Sequence, residues 1–146
     1  MNIPYKFNPL GITAEEEDTQ NSLTFTATQN SSSVKLNKTG SPTVSGLQYK
    51  VGKGSWQAYT IGTTVSLNKD EYVKFRNTEN TLSTSTNDYV TFAMTGKISA
   101  SGDVMSMLNY GTTVPQYGLL KLFAGATSLV SLPTLSGSIL RGYCYQ

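Results

Sequence analysis

The sequence predicts an all-β fold: a sandwich of two antiparallel sheets, preceded by an extended peptide and followed by a short helical cap. Three observations carry that expectation. Apolar residues recur at alternate positions in short runs, among them Leu23-Phe25-Ala27, Val34-Leu36, Val65-Leu67, Val73-Phe75 and Val90-Phe92-Met94. That is the period of strands with one buried face. Gly, Ser, Asn and Asp break the runs at intervals of about ten residues, which gives roughly six to eight short strands. The 146 residues leave room for one domain of about a hundred residues with a core of its own, plus tails.

In chain order, residues 1–21 form an extended leader. Pro4 and Pro9 push the residues before them into extended geometry and exclude a helix. Ile3, Tyr5 and Phe7 alternate, Leu10 follows, and then comes the acidic run Glu15, Glu16, Glu17 and Asp18. Such a segment is either an untied terminus or a docking peptide that adds to the sheet edge of a partner. Consecutive carboxylates lack the spaced ligands and glycine turn of a calcium loop, so the run reads as a solvated linker.

The sandwich is expected over residues 22–101. The strands LTFTAT and Val34-Leu36 come first, joined by an NSSS turn. Leu47 to Arg76 reads as an antiparallel meander, with Leu47, Tyr49 and Val51 on one face and Lys50, Lys53, Lys69, Lys74 and Arg76 on its wet face or guarding its edge. Residues 77–87 are a polar loop, DYVTFAM is a strand, and Lys97 to Ala100 is expected to pair back on it across Thr95-Gly96. From 102 to 146 the pattern changes. Gly102-Asp103 starts a short helix carrying Val104, Met105, Met107 and Leu108, and Asn109-Tyr110-Gly111 closes it. Leu119, Leu120, Leu122 and Phe123 suit one or two helical turns. Leu129, Leu132 and Leu135 fall in an L-x-x-L-x-x-L frame. The separation of Tyr117 from Tyr143 lies inside the period of leucine-rich repeats.

Composition narrows the chemistry. There is no His, and Cys144 is alone, so zinc, triad and Cys–His chemistry fall away and no internal disulfide forms. Cys144 reads as a packed residue. Charged residues are 14% of the chain and the net charge is +2. With Lys and Arg scattered, a nucleic-acid partner is disfavoured. No apolar run is long enough for a membrane-spanning helix. The start of the chain lacks a basic segment followed by an apolar one, so it is expected to act without export, or to have lost a leader. Under that expectation the sequons Asn30-Ser31-Ser32 and Asn37-Lys38-Thr39 carry no glycan. Asp88 and Asp103 stand apart at strand and helix starts and read as caps, which argues against an enzyme.

The last thirty residues or so are similar to a known family. Phe123, Gly125, Thr127-Ser128-Leu129, Leu132-Pro133 and Tyr143-Cys144-Tyr145 resemble the recurring phrase of BspA-like leucine-rich repeats, found in surface proteins of gut bacteria and in proteins of their phages. The preceding FAMTGKISASGDVMSML resembles the junction between such repeats and an immunoglobulin-like leader domain. Ala126 stands where the family often has Cys. The resemblance implies an immunoglobulin-like antiparallel β-sandwich with a partial leucine-rich-repeat cap, a structural or binding role without catalysis, and no cofactor.

Two settings follow from it. The first is a phage virion structural protein, a head fibre or decoration attached to the capsid surface through Ile3, Tyr5, Phe7 and Leu10, with several copies associating. The second is a cell-surface adhesin or glycan-binding module, for which Trp56 and Tyr59, near Tyr49 and Tyr72, supply an aromatic platform. The more ordinary reading of Trp56 is a ring packed in the sandwich core or across strands. A linker domain of a longer polypeptide is the third possibility.

Overall fold

A computed structural model describes residues 21–142 of the chain. The leader residues Ile3, Tyr5, Phe7 and Leu10, the acidic run Glu15 to Asp18, and Tyr143 to Tyr145 lie outside them. The described residues form β1 (Leu23–Ala27), β2 (Ser32–Thr39), β3 (Leu47–Val51), β4 (Gln57–Ala58), β5 (Thr64–Leu67), β6 (Tyr72–Asn77), β7 (Tyr89–Thr95) and β8 (Ile98–Ser101). A 3₁₀ turn over Val104–Leu108 follows, then β9 (Thr113–Val114), β10 (Leu129–Ser131) and β11 (Ile139–Leu140). The fold is all-β.

The strands divide into a six-stranded sheet of order β10-β8-β1-β6-β3-β4, a three-stranded sheet β5-β2-β7, and a small pair β11-β9. Alternation sets the inner faces as expected: Leu23, Phe25, Ala27, Val73, Phe75, Ile98 and Ala100 from the larger sheet are buried with Val34, Leu36, Val65, Leu67, Val90 and Phe92 from the smaller. The centre of this core is aromatic. Phe92 of the smaller sheet meets Phe25 edge-on at 4.8 Å between ring centroids and Phe75 at 5.2 Å, the offset geometry that ring quadrupoles favour.

The stretch from Leu47 to Arg76 is not one meander. β3, β4 and β6 belong to the larger sheet, but β5 crosses over and pairs with β2, Val65 opposite Val34. Alternation reports which residues face inward and is silent on which of two facing sheets supplies the strand. The expected β7–β8 hairpin is absent for a related reason. Gly96 turns the chain with φ of +76°, and a Cβ there would lie 2.9 Å from the Cα of Ser32. The turn carries the chain from the smaller sheet to the larger, where β8 pairs with β1. Val51, placed inward by alternation, sits at a strand end and is 41% exposed.

Beyond β8 the chain packs on the same core. Asp103 caps the 3₁₀ turn by accepting from the Met105 amide at 3.0 Å, and left-handed Asn109 (φ 55°) ends it, both as the sequence suggested. Val104, Met105, Met107 and Leu108 are buried, and Ser106, also buried, accepts from the Leu23 amide and donates to the Phe75 carbonyl. Leu119 to Phe123 do not form the helical turns that their spacing suggested. The amides of Gly118, Leu120, Leu122 and Ala124 each reach back to the carbonyl three positions earlier, but Tyr117 and Lys121 take positive φ, and a left-handed residue stops helical propagation. The run covers the edge of β7 instead: the Phe92 amide donates to the Leu122 carbonyl at 2.8 Å, and Phe123 stacks on Phe92.

The segment that follows lies parallel to the chain beneath it. Ile98 pairs with Leu129, Asp103 bridges Thr134, and Thr113 pairs with Ile139. In each case the partner lies further along the chain by a separation typical of one repeat unit. Gly102 is the hub. Its carbonyl accepts from the Thr134 amide at 2.8 Å, and at φ of +73° its α-carbon lies so near the Ser22 carbonyl that any side chain would collide with backbone.

Candidate functional site

Two surfaces stand out: the outer face of the larger sheet around Trp56, and the outermost layer of chain from Leu129 to Leu140. On the first, alternation along β1, β3 and β6 turns Thr24, Gln48, Lys50, Lys74 and Arg76 away from the core. Lys50 is directly opposite Lys74, and Gln48 opposite Arg76. Arg76 donates from Nε to Gln48 Oε1 at 2.7 Å, which holds its guanidinium over the Trp56 ring, 4.1 Å from the centroid. Lys50 Nζ lies 5.8 Å from the same ring. Trp56 is therefore half-buried on the sheet's outer face under cations, not in the inter-sheet core. Such contacts are worth about 0.5–1 kcal/mol each at exposed sites.

Two expectations are corrected here. Lys50 is no wet-face residue: its relative exposure is 0%. A strand pattern alone identifies its outward direction but not what covers that face. Tyr59 does not join Trp56 in a sugar platform, because it is a core ring. It packs edge-on against Tyr49 and Phe75, each at 5.2 Å. Its hydroxyl accepts from the Leu36 amide of β2 at 2.9 Å and donates to the Thr63 carbonyl at 2.6 Å. Tyr59 thus pins the point at which the chain leaves the larger sheet for the smaller, and burial raises its phenol pKa. Removing the hydroxyl leaves a buried strand amide without its acceptor, a loss of about 1–3 kcal/mol. Tyr59→Phe is accordingly expected to unfold at lower urea with an unchanged slope, measured by equilibrium denaturation.

The second surface is apolar. Val130, Leu132, Ile139 and Leu140 are each at least half exposed, Leu132 the most at 73%, and Leu135 is 37% exposed. β10 is the outermost strand of its sheet. Adjacent apolar side chains on an open strand edge are what soluble domains otherwise avoid. The leucine spacing in the sequence pointed to this segment but not to the exposure of its side chains.

Acidic groups are engaged as caps. Asp88 accepts from the Ser41 amide at 2.8 Å and the Ser85 hydroxyl at 2.9 Å, which hold its carboxyl below the usual range. Asp103 accepts from Met105 and from the Ser136 amide at 3.2 Å. Among the described residues no group of three or more His, Cys, Asp or Glu is placed to hold a metal ion, and no helix is long and apolar enough to cross a membrane. A depression of about 480 Å³ beside β2 and β5 is lined by the hydroxyls of Ser31, Ser32, Ser33, Thr64 and Ser66, with no acid–base group among them. No family model, curated protein or solved structure matches the chain.

Proposed function

We propose that the protein is a non-enzymatic assembly module, a head-fibre or decoration protein on a phage capsid. In this reading the residues of its leader, Ile3, Tyr5, Phe7 and Leu10, bind the capsid and copies of the chain associate with one another. The observation that carries an assembly role is the exposed apolar layer from Val130 to Leu140. The virion setting rests on the sequence resemblance.

The connectivity supports an immunoglobulin-like reading of the sandwich. In that fold strand B lies between A and E, and F between C and G, with C′ beside C. Here β2 lies between β7 and β5, β6 between β1 and β3, and β4 beside β3, so β2 to β6 follow the order B, C, C′, E, F. The outer two positions are filled in exchange: the strand in the place of G comes first in the chain, and that in the place of A comes after F. The parallel pairing of β8 with β10 and of β9 with β11 supports a single repeat-like layer in the cap, since solenoid repeats stack one unit on the next in this manner.

Each large apolar side chain buried in an interface contributes about 1.5–3 kcal/mol, so charge placed on this layer is expected to weaken association by about a hundredfold. Leu132→Glu with Leu140→Glu should fold normally, since neither side chain is in the core, and should sediment as a monomer at concentrations where the unmodified chain associates. Identical sedimentation of the two proteins would remove the apolar layer as the assembly surface.

A second reading, adhesion to a host glycan, is favoured by one observation: Trp56 lies on the outer face rather than in the core. A glycan array probed with the protein and with Trp56→Ala decides it. The assembly reading expects no binding that depends on Trp56, whereas binding lost only in a folded Trp56→Ala protein would establish the adhesin.

A further inference from the structure

The outermost layer of chain has one direction and one kind of surface. It runs parallel to the chain beneath it at three points, Leu129 on Ile98, Thr134 on Asp103 and Ile139 on Thr113. β10 ends the larger sheet and β11 ends the small pair, and no described strand pairs with either on its far side. The large side chains left exposed there are apolar: Val130, Leu132, Leu135, Ile139 and Leu140. Between Lys121 and Arg141 the chain carries no charge.

The reading of this layer as the assembly surface, on which the present inference rests, leaves open which surface of a second copy it meets. An apolar layer needs an apolar counterpart, since polar groups set against it lose water without gaining partners. Among the described residues the other large apolar side chain left exposed is Val51, alone at the end of β3. The sheet edges away from the layer are short or polar: β4 is Gln57–Ala58, and β5 leaves Thr64 and Ser66 exposed. The described surface that matches the layer is therefore the same layer on another copy. Setting it against itself brings no like charges together, because its one charge, Arg141, stands at its end.

We propose that two copies pair layer to layer about a two-fold axis and close a dimer, so that the layer is not the joint of an open fibre. A surface that meets itself is used up once the pair forms, whereas one that meets a different patch leaves an end free for each copy added. The two-fold reverses the second layer. β10 of one copy then comes against β11 of the other, and Leu135, midway along the chain between Val130 and Leu140, comes against its own counterpart. Pro133 has no amide to donate, so side chains rather than a continuous ladder close the centre. These side chains are few beside the about 20–30 residues a side of a standard interface, so the pair is weak and is read at high protein concentration.

The test joins sedimentation of the full chain under reducing conditions to disulfide trapping of a Cys144→Ser chain carrying Leu135→Cys. Ser66→Cys on β5, in the same Cys144→Ser chain, is the control. With rising concentration the protein is expected to approach the mass of two chains and stop there. Under mild oxidation Leu135→Cys is expected to link two chains at least about fivefold more than Ser66→Cys, since a disulfide needs α-carbons within about 7 Å. Leu135 is outside the buried core, and an unfolding midpoint near that of the Cys144→Ser parent establishes that the variant folds. Mass that keeps growing beyond two chains would overturn the proposal, and so would a two-chain species without the Leu135 link; either result leaves the layer standing as an assembly surface. A chain that stays single at every concentration would overturn the assembly reading along with it.

Discussion

Phe92→Ala is expected to lower the unfolding free energy by about 3–5 kcal/mol, a large part of the stability of a domain this size. Phe92 is 1% exposed and lies at the centre of the contact between the two sheets. Phe25 and Phe75 of the larger sheet lie edge-on to it, and Phe123 of the covering segment stacks on it at 5.8 Å. Removing it leaves a cavity bounded by three rings held on three separate strands or turns, so collapse around the void is limited. Its backbone position also matters, since its amide is bonded to Leu122, and alanine retains that bond. The effect should therefore appear as loss of packing, with a lower denaturant midpoint and an unchanged slope. A loss below about 1 kcal/mol would mean that the two sheets do not share this core.

Tyr5→Ser together with Phe7→Ser is expected to abolish incorporation into phage particles while leaving the unfolding midpoint of the domain where it was. If the leader binds by strand addition, its main-chain bonds supply affinity and its alternate side chains supply burial and register. Two aromatic side chains transferred from water to an apolar groove are worth several kcal/mol between them, or at least a hundredfold in occupancy. Quantifying the polypeptide in particles assembled with the double variant measures this directly. Full incorporation would remove the leader as the anchor.

Much of the core was legible in the sequence because alternation is a local property. Leu23, Phe25 and Ala27, or Val73 and Phe75, announce their burial by spacing alone, and the Asp103 cap and the Asn109 stop of the 3₁₀ turn follow from residue type. What spacing does not carry is the partner of each strand. The crossing of β5 depends on Tyr59 reaching the Leu36 amide, and that of β8 on the contact of Gly96 with Ser32. Both are long-range facts. Leu119 to Phe123 have the composition of a helix, yet left-handed Tyr117 and Lys121 break it, and the Leu122 carbonyl accepts from the Phe92 amide of β7.

The candidate sites divide in the same way. Trp56 and Tyr59 are close in sequence and looked like one platform, but the chain turns between them so that one ring lies outside under Arg76 and the other inside between the sheets. Lys50 shows the limit most clearly. Its outward direction follows from its place in β3, and its complete burial follows only from what lies over that face.

The central claim, that this chain is a virion component, is tested most directly by proteomics of purified phage particles beside the outer-membrane and secreted fractions of the host, with the intact mass of the polypeptide recorded. The account predicts recovery in particles in stoichiometric amounts. Recovery only in the membrane or secreted fraction would contradict it and would make adhesion through the Trp56 face the function to pursue.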